Sequence, residues 1–195
     1  MRNFVVLAFV LLIGIQAEAQ VKVSPGLRGG LNISTLSNID DNSSKTDFYV
    51  GGLVNIKFNR FFSVQPELNY SRQGDEGRYF ENGRYYSEKY ELNYITLGAV
   101  AKFNFNGGGF HLLAGPSLDL KVSDNYINTK PEDYDLSFVG GVGYTLPNGL
   151  TFEARFKQGL IDIYGYDGID DRYYYDQVIL NQVFQLGISY TFKTK

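Results

Sequence analysis

From residue 47 to residue 71 the side chains alternate in character with a period of two, and the alternation survives a change of direction. Phe48, Val50, Gly52, Val54, Ile56 and Phe58 are apolar or glycine, with Tyr49, Gly51, Leu53, Asn55 and Lys57 between them. After Asn59, Arg60 and Phe61 the pattern resumes. Phe62, Val64, Pro66, Leu68 and Tyr70 stand opposite Ser63, Gln65, Glu67, Asn69 and Ser71. A period of two is the signature of a β-strand, because successive side chains point to opposite faces. Two such runs joined by a three-residue turn predict a hairpin of two long strands. One face is greasy and the other carries charge. In a soluble sandwich the greasy face points inward, so the rest of the chain must decide its direction here.

The same alternation recurs along the chain. Residues 21–33 place Val21, Val23, Leu27, Leu31 and Ile33 opposite Lys22, Ser24, Arg28 and Asn32. Residues 90–105 place Ile95, Leu97, Ala99, Ala101 and Phe103 opposite Thr96, Gly98 and Lys102. In the next strand Phe110, Leu112, Ala114, Leu118 and Leu120 oppose His111, Gly115, Ser117, Asp119 and Lys121. Two more strands follow, around residues 136–146 and 150–160, the second setting Phe152, Ala154 and Phe156 against Glu153, Arg155 and Lys157. A last strand runs over residues 184–192. The prediction is eight strands in meander order. Long polar loops are expected at 36–46, 74–88, 123–133 and 161–181, and short turns at 59–61, 106–108 and 147–149. Strict alternation of long and short connections is the habit of transmembrane barrels, which keep short periplasmic turns and longer external loops.

The N-terminus points the same way. Arg2 is followed by an apolar run over residues 4–15 and then by Ala17-Glu18-Ala19, the small-x-small form of a signal-peptidase site. We expect residues 1–19 to be a cleaved signal peptide and residues 20–195 to be the mature domain. The run is short for a membrane-spanning helix. With no cysteine, the chain offers neither disulfides nor a lipid attachment site. A net charge of -3 gives no argument for a nucleic-acid partner.

Three features turn the greasy face outward. The polar face carries glycine at Gly26, Gly51, Gly98, Gly115, Gly141, Gly143 and Gly187, which suits a narrow interior better than a wetted surface. Charges of both signs, Arg28, Glu67, Asp119, Glu153 and Arg155, occupy that face and are expected to pair in a barrel-interior network. Aromatic residues gather near strand ends, among them Phe48, Phe58, Phe62, Tyr70, Tyr94, Phe103, Phe105, Phe110, Phe152, Tyr190 and Phe192, as an interfacial girdle would require. The predicted class is all-β, an eight-stranded antiparallel up-and-down transmembrane β-barrel with short periplasmic turns and four longer external loops. A soluble barrel or sandwich is the alternative. Because lipid offers no hydrogen bonds, the membrane form must close strand eight onto strand one.

Several stretches resemble the outer-membrane β-barrel domain proteins of the Bacteroidota, the PorT-like group. They are residues 26–32, 64–71 and 92–97, together with Ala114-Gly115-Pro116-Ser117 and Gly140-Gly141-Val142-Gly143. The resemblance spans essentially the whole mature chain. It implies location in the cell outer membrane and a possible accessory part in protein secretion or in assembly of an outer-membrane complex. It brings no catalytic residues.

The residues themselves suggest a non-enzymatic protein with no cofactor. Hydrolysis would need a nucleophile, a base and an orienting group in mutual reach. The only histidine, His111, falls beside a short turn, which makes an outer-membrane hydrolase the weakest alternative. Paired charges on the inner face are read as a plug, which sets a small pore as a further alternative. Tyr164, Tyr166, Tyr173, Tyr174 and Tyr175 form a candidate loop contact surface. Asp167, Asp170 and Asp171 are weak candidates for a divalent cation, and their spacing matches no calcium loop. Arg78, Arg84 and Lys89 are candidates for lipopolysaccharide phosphates. The expected partners are outer-membrane lipids, lipopolysaccharide and a protein of unknown identity reached through the loops.

Overall fold

The computed structural model describes residues 21–39, 42–81, 84–107, 109–126, 130–164 and 178–192. Eight strands, β1 (Lys22–Leu36), β2 (Asn42–Lys57), β3 (Phe62–Glu81), β4 (Arg84–Asn104), β5 (Phe110–Asp124), β6 (Tyr134–Thr145), β7 (Leu150–Gly159) and β8 (Asn181–Thr191), follow one another as neighbours. They form a closed antiparallel barrel. The closure is the β1–β8 seam, which runs from Gly26 opposite Thr191 to Leu36 opposite Asn181.

The period-two pattern places the side chains as lipid demands. Leu27, Leu68, Leu97, Phe138 and Ile188 face outward and are exposed, while Arg28, Glu67, Asp119, Glu153 and Arg155 face inward and are buried. Aromatic pairs ring the end that carries the short turns: Phe58 with Phe62, Phe103 with Phe105, Phe105 with Phe110, and Tyr190 with Phe192. Tyr94 is the exception among the expected girdle residues. It is wholly buried, because its even position on β4 puts it on the inner face with Thr96.

Two strands run far past the expected boundaries. Residues 74–88, expected as a loop, continue the β3–β4 ladder from Gly74 opposite Glu91 to Glu81 opposite Arg84. A tilted crossing needs about 9–11 residues, and β3 and β4 have 20 and 21. The surplus projects as a hairpin on the side of the long connections. The first expected loop is also shorter, because β2 already pairs with β1 at Lys45. At the other end Phe105 leaves its strand for a short 3-10 turn, Phe105–Gly107.

One rung of the seam is bare. Gly30 and Gly187 face each other across it. A Cβ at Gly30 would collide with the Leu186 carbonyl oxygen, and one at Gly187 with the Tyr49 hydroxyl. Glycine at these two places lets the ring curve tightly enough to leave room for Tyr49 inside.

Candidate functional site

Inward phase alone delivers polar residues to the lumen; register decides which of them meet. Glu67 on β3, Glu153 and Arg155 on β7, Arg28 on β1 and Lys102 on β4 come to one level. Arg155 is the hub. Its Nη2 donates to Glu67 Oε1 at 2.7 Å and to Glu153 Oε2 at 2.7 Å, and its Nη1 donates to Glu67 Oε2 at 2.9 Å. Arg28 donates to Glu67 Oε2 and, through Nη2, to the Tyr49 hydroxyl at 3.1 Å. Gln65 Nε2 donates to Glu67 Oε1 at 2.6 Å, and Lys102 Nζ donates to Glu153 Oε1 at 2.6 Å. Buried charges persist only when paired and hydrogen-bonded, and this layer meets that condition for both carboxylates.

Asp119 does not join that layer. One step toward the long loops, it accepts from Lys157 Nζ, Thr96 Oγ1 and Ser137 Oγ, and Ser137 Oγ also lies 3.3 Å from Asp135 Oδ2. Above it Asn32, Ser71, Gln73, Asn181 and Gln185 form an amide and hydroxyl chain, with Gln185 Nε2 donating to Asn32 Oδ1 at 2.8 Å. Between the two charged layers the inner wall turns apolar, where Val100, Leu113 and Val139 pack together. The remaining cavity beside Arg28, Glu67 and Lys157 is about 20 Å³, room for about one water. From the central ion layer toward the long loops the lumen is a stack of filled layers.

The external mouth is capped. Leu36, Leu92, Tyr94, Ile163 and Ile179 form a buried cluster, with Ile39, Tyr126 and Tyr164 packed against it. Burial pushes the Tyr126 hydroxyl well above its ordinary range. Asp162 Oδ1 ties the cap together by accepting from the Tyr164 and Ile179 amides at 3.2 Å and 3.3 Å. Tyr164 therefore packs into the cap. Tyr166, Tyr173, Tyr174, Tyr175, Asp167, Asp170 and Asp171 lie outside the described residues, as does the side chain of Arg78. Arg84 and Lys89 are exposed on the projecting hairpin. Among the described residues no cluster of three or more His, Asp or Glu side chains is arranged to hold a metal.

The opposite end is open. A cavity of about 360 Å³ lies below the central ion layer, lined by Lys57, Ser63, Gln65, Lys102, His111 and Thr151 among others. His111 is buried there. Its Nδ1 lies 3.1 Å from the Gly109 carbonyl oxygen and its Nε2 3.5 Å from Glu153 Oε1. Neither ring nitrogen is hydrogen-bonded to a hydroxyl among the described residues, so no activated nucleophile is assembled.

Sequence reasoning placed Lys102, Lys157 and Gln65 on the polar face without assigning them to the network. Parity was the available signal, and it carries no height. Only the stagger of neighbouring strands brings Lys102 beside Glu153 and Lys157 beside Asp119.

The family described as outer membrane protein beta-barrel domain matches residues 16–165. Among solved structures, Neisserial surface protein A is 13% identical with a TM-score of 0.52, the match covering 87% of this chain and 97% of that one. OprG from Pseudomonas aeruginosa is 12% identical with a TM-score of 0.50, over 90% of this chain and 99% of that one. At such identities the likeness is one of fold. No curated protein matches the sequence.

Proposed function

The chain belongs to the outer membrane protein β-barrel domain family and resides in the outer membrane, and from that premise we propose a non-catalytic, self-plugged barrel that acts through what it holds above the bilayer. The observation that carries this reading is the combination of a filled lumen and a projecting β3–β4 hairpin. The Arg155 layer spans the lumen and leaves a cavity of about 20 Å³ beside it, which favours a mount over a conduit. The hairpin presents Arg84, Tyr86, Glu88 and Lys89 outside the membrane, all exposed. Alternating charge and tyrosine suit a protein surface, and Arg84 and Lys89 suit lipopolysaccharide phosphates. In this reading residues 1–19 are the export leader, removed before the barrel assembles.

The motifs shared with the PorT-like barrels of the Bacteroidota support a narrower version. There the hairpin docks onto a secretion or assembly complex of the outer membrane. The test is photo-crosslinking in native membranes, with the reactive group placed at Glu88 and, as control, at lipid-facing Leu97. A discrete protein adduct at Glu88 alone supports docking. Adducts only with lipopolysaccharide support the surface-binding form. No adduct above the Leu97 control overturns both.

A further inference from the structure

The open end of the barrel is locally positive. In the central layer three cations, Arg28, Arg155 and Lys102, share two carboxylates, Glu67 and Glu153. The next level along the lumen holds two buried carboxylates, Asp119 and Asp135, with Lys157 on Asp119, so the surplus of positive charge is local to the central layer. The carboxylate surplus therefore lies toward the long loops and the cation surplus toward the open end, which leaves that end locally positive. Lys102 is where that charge is reachable. It is the one cation of the three that also lines the cavity of about 360 Å³ below the layer.

The rest of the cavity wall is consistent with an anion. Lys57 stands exposed at its rim, and Ser63, Gln65 and Thr151 contribute buried hydroxyl and amide groups. No carboxylate lines it among the described residues. Its volume falls in the range of small-molecule sites, which start at about 300 Å³. Its mouth lies among the short turns, which face the periplasm in barrels of this kind.

We propose that this vestibule binds a small carboxylate-bearing ligand of the acylated amino-acid or short-peptide class, with the carboxylate at Lys102 and the amide groups against Gln65, Ser63 and Thr151. The lysines act here as point charges. The bidentate guanidinium forks that favour phosphate are already spent on Glu67 and Glu153. The site is separate from the external hairpin, and it does not depend on the docking reading given above.

The test uses the full mature barrel in detergent micelles, followed by NMR of the backbone amides of Ser63, Gln65 and Thr151. N-acetylalanine is titrated as the probe, with N-acetylalaninamide and inorganic phosphate as comparisons. The expected result is saturable shifts with N-acetylalanine and weakening of about tenfold or more for the neutral amide, the size of a lost charge-assisted hydrogen bond. Lys102→Gln should abolish the shifts. Because that change also touches Glu153, Lys57→Gln and Thr151→Val serve as variants outside the ion layer, each expected to weaken binding severalfold. Equal binding of acid and amide, tighter binding of phosphate, or no saturable shift in a folded protein overturns the proposal.

Discussion

Arg155 shows how much can rest on one side chain. It holds two carboxylates that are themselves buried, with Glu67 and Glu153 only 7% and 6% exposed. Arg155→Met removes the hub and leaves both anions short of a partner, a loss of about 3–5 kcal/mol in buried pairs of this type. Urea titration of the heat-modifiable gel shift should show the midpoint falling steeply. Adding Glu67→Gln to Arg155→Met should recover part of that loss, because one stranded charge disappears. Glycine makes a matched pair of a different kind. Gly30→Ala drives a methyl into the Leu186 carbonyl, a backbone atom that cannot swing aside. The expected cost is about 1–3 kcal/mol, as for other overpacked positions. At Gly140 nothing lies within 4 Å of the added carbon, so Gly140→Ala should leave the same midpoint unchanged.

At the scale of elements, the strands inside the bilayer and the strands above it obey different rules. Within the membrane, lipid on one side and packed polar groups on the other force alternation. That is why Phe48 to Tyr70 could be read from parity, and why Arg28 and Glu67 could be placed inward. Above the membrane neither side is lipid. From Gly74 to Glu91 the sequence shows no alternation of apolar with polar residues, so the ladder continues with no periodicity to announce it. The result is that a hairpin looked like a loop. The register of Lys102 with Glu153 was equally hidden, since it depends on strand stagger. Tyr94 shows the converse error, an aromatic near a strand end whose parity already placed it inside. The projecting hairpin should be separable from the barrel. Joining Gly77 to Glu88 through an Asn–Gly turn removes residues 78–87 and keeps every rung below. The shortened protein should retain its heat-modifiable migration and lose any crosslink that depends on the hairpin. Loss of folding would show instead that the extension is part of the barrel's stability.

Among the described residues the barrel is filled at two heights, by the ion layer at its centre and by the Leu36, Tyr94 and Ile163 cap at its mouth. Planar-bilayer recordings of the intact protein should show no stepwise conductance. Ile163→Asp puts a charge into the cap and should make that mouth accessible to protease, while the bilayer trace stays flat because the ion layer remains. Conductance in the unaltered protein would contradict the plugged reading. The seam between the first and last strands has a consequence for how such a cylinder comes into being. Every other rung joins neighbours in the chain, whereas Gly30 meets Gly187 only after the whole sheet has been laid down. Ring closure of so long a loop carries an entropic penalty that grows only as the logarithm of its length. The two glycines contribute no side-chain contacts to offset it. Assembly should therefore end at this seam, where backbone hydrogen bonds and rungs such as Asn32 with Gln185 must do what the glycine rung cannot, and the same line is where the finished barrel would first part if it were ever pulled open.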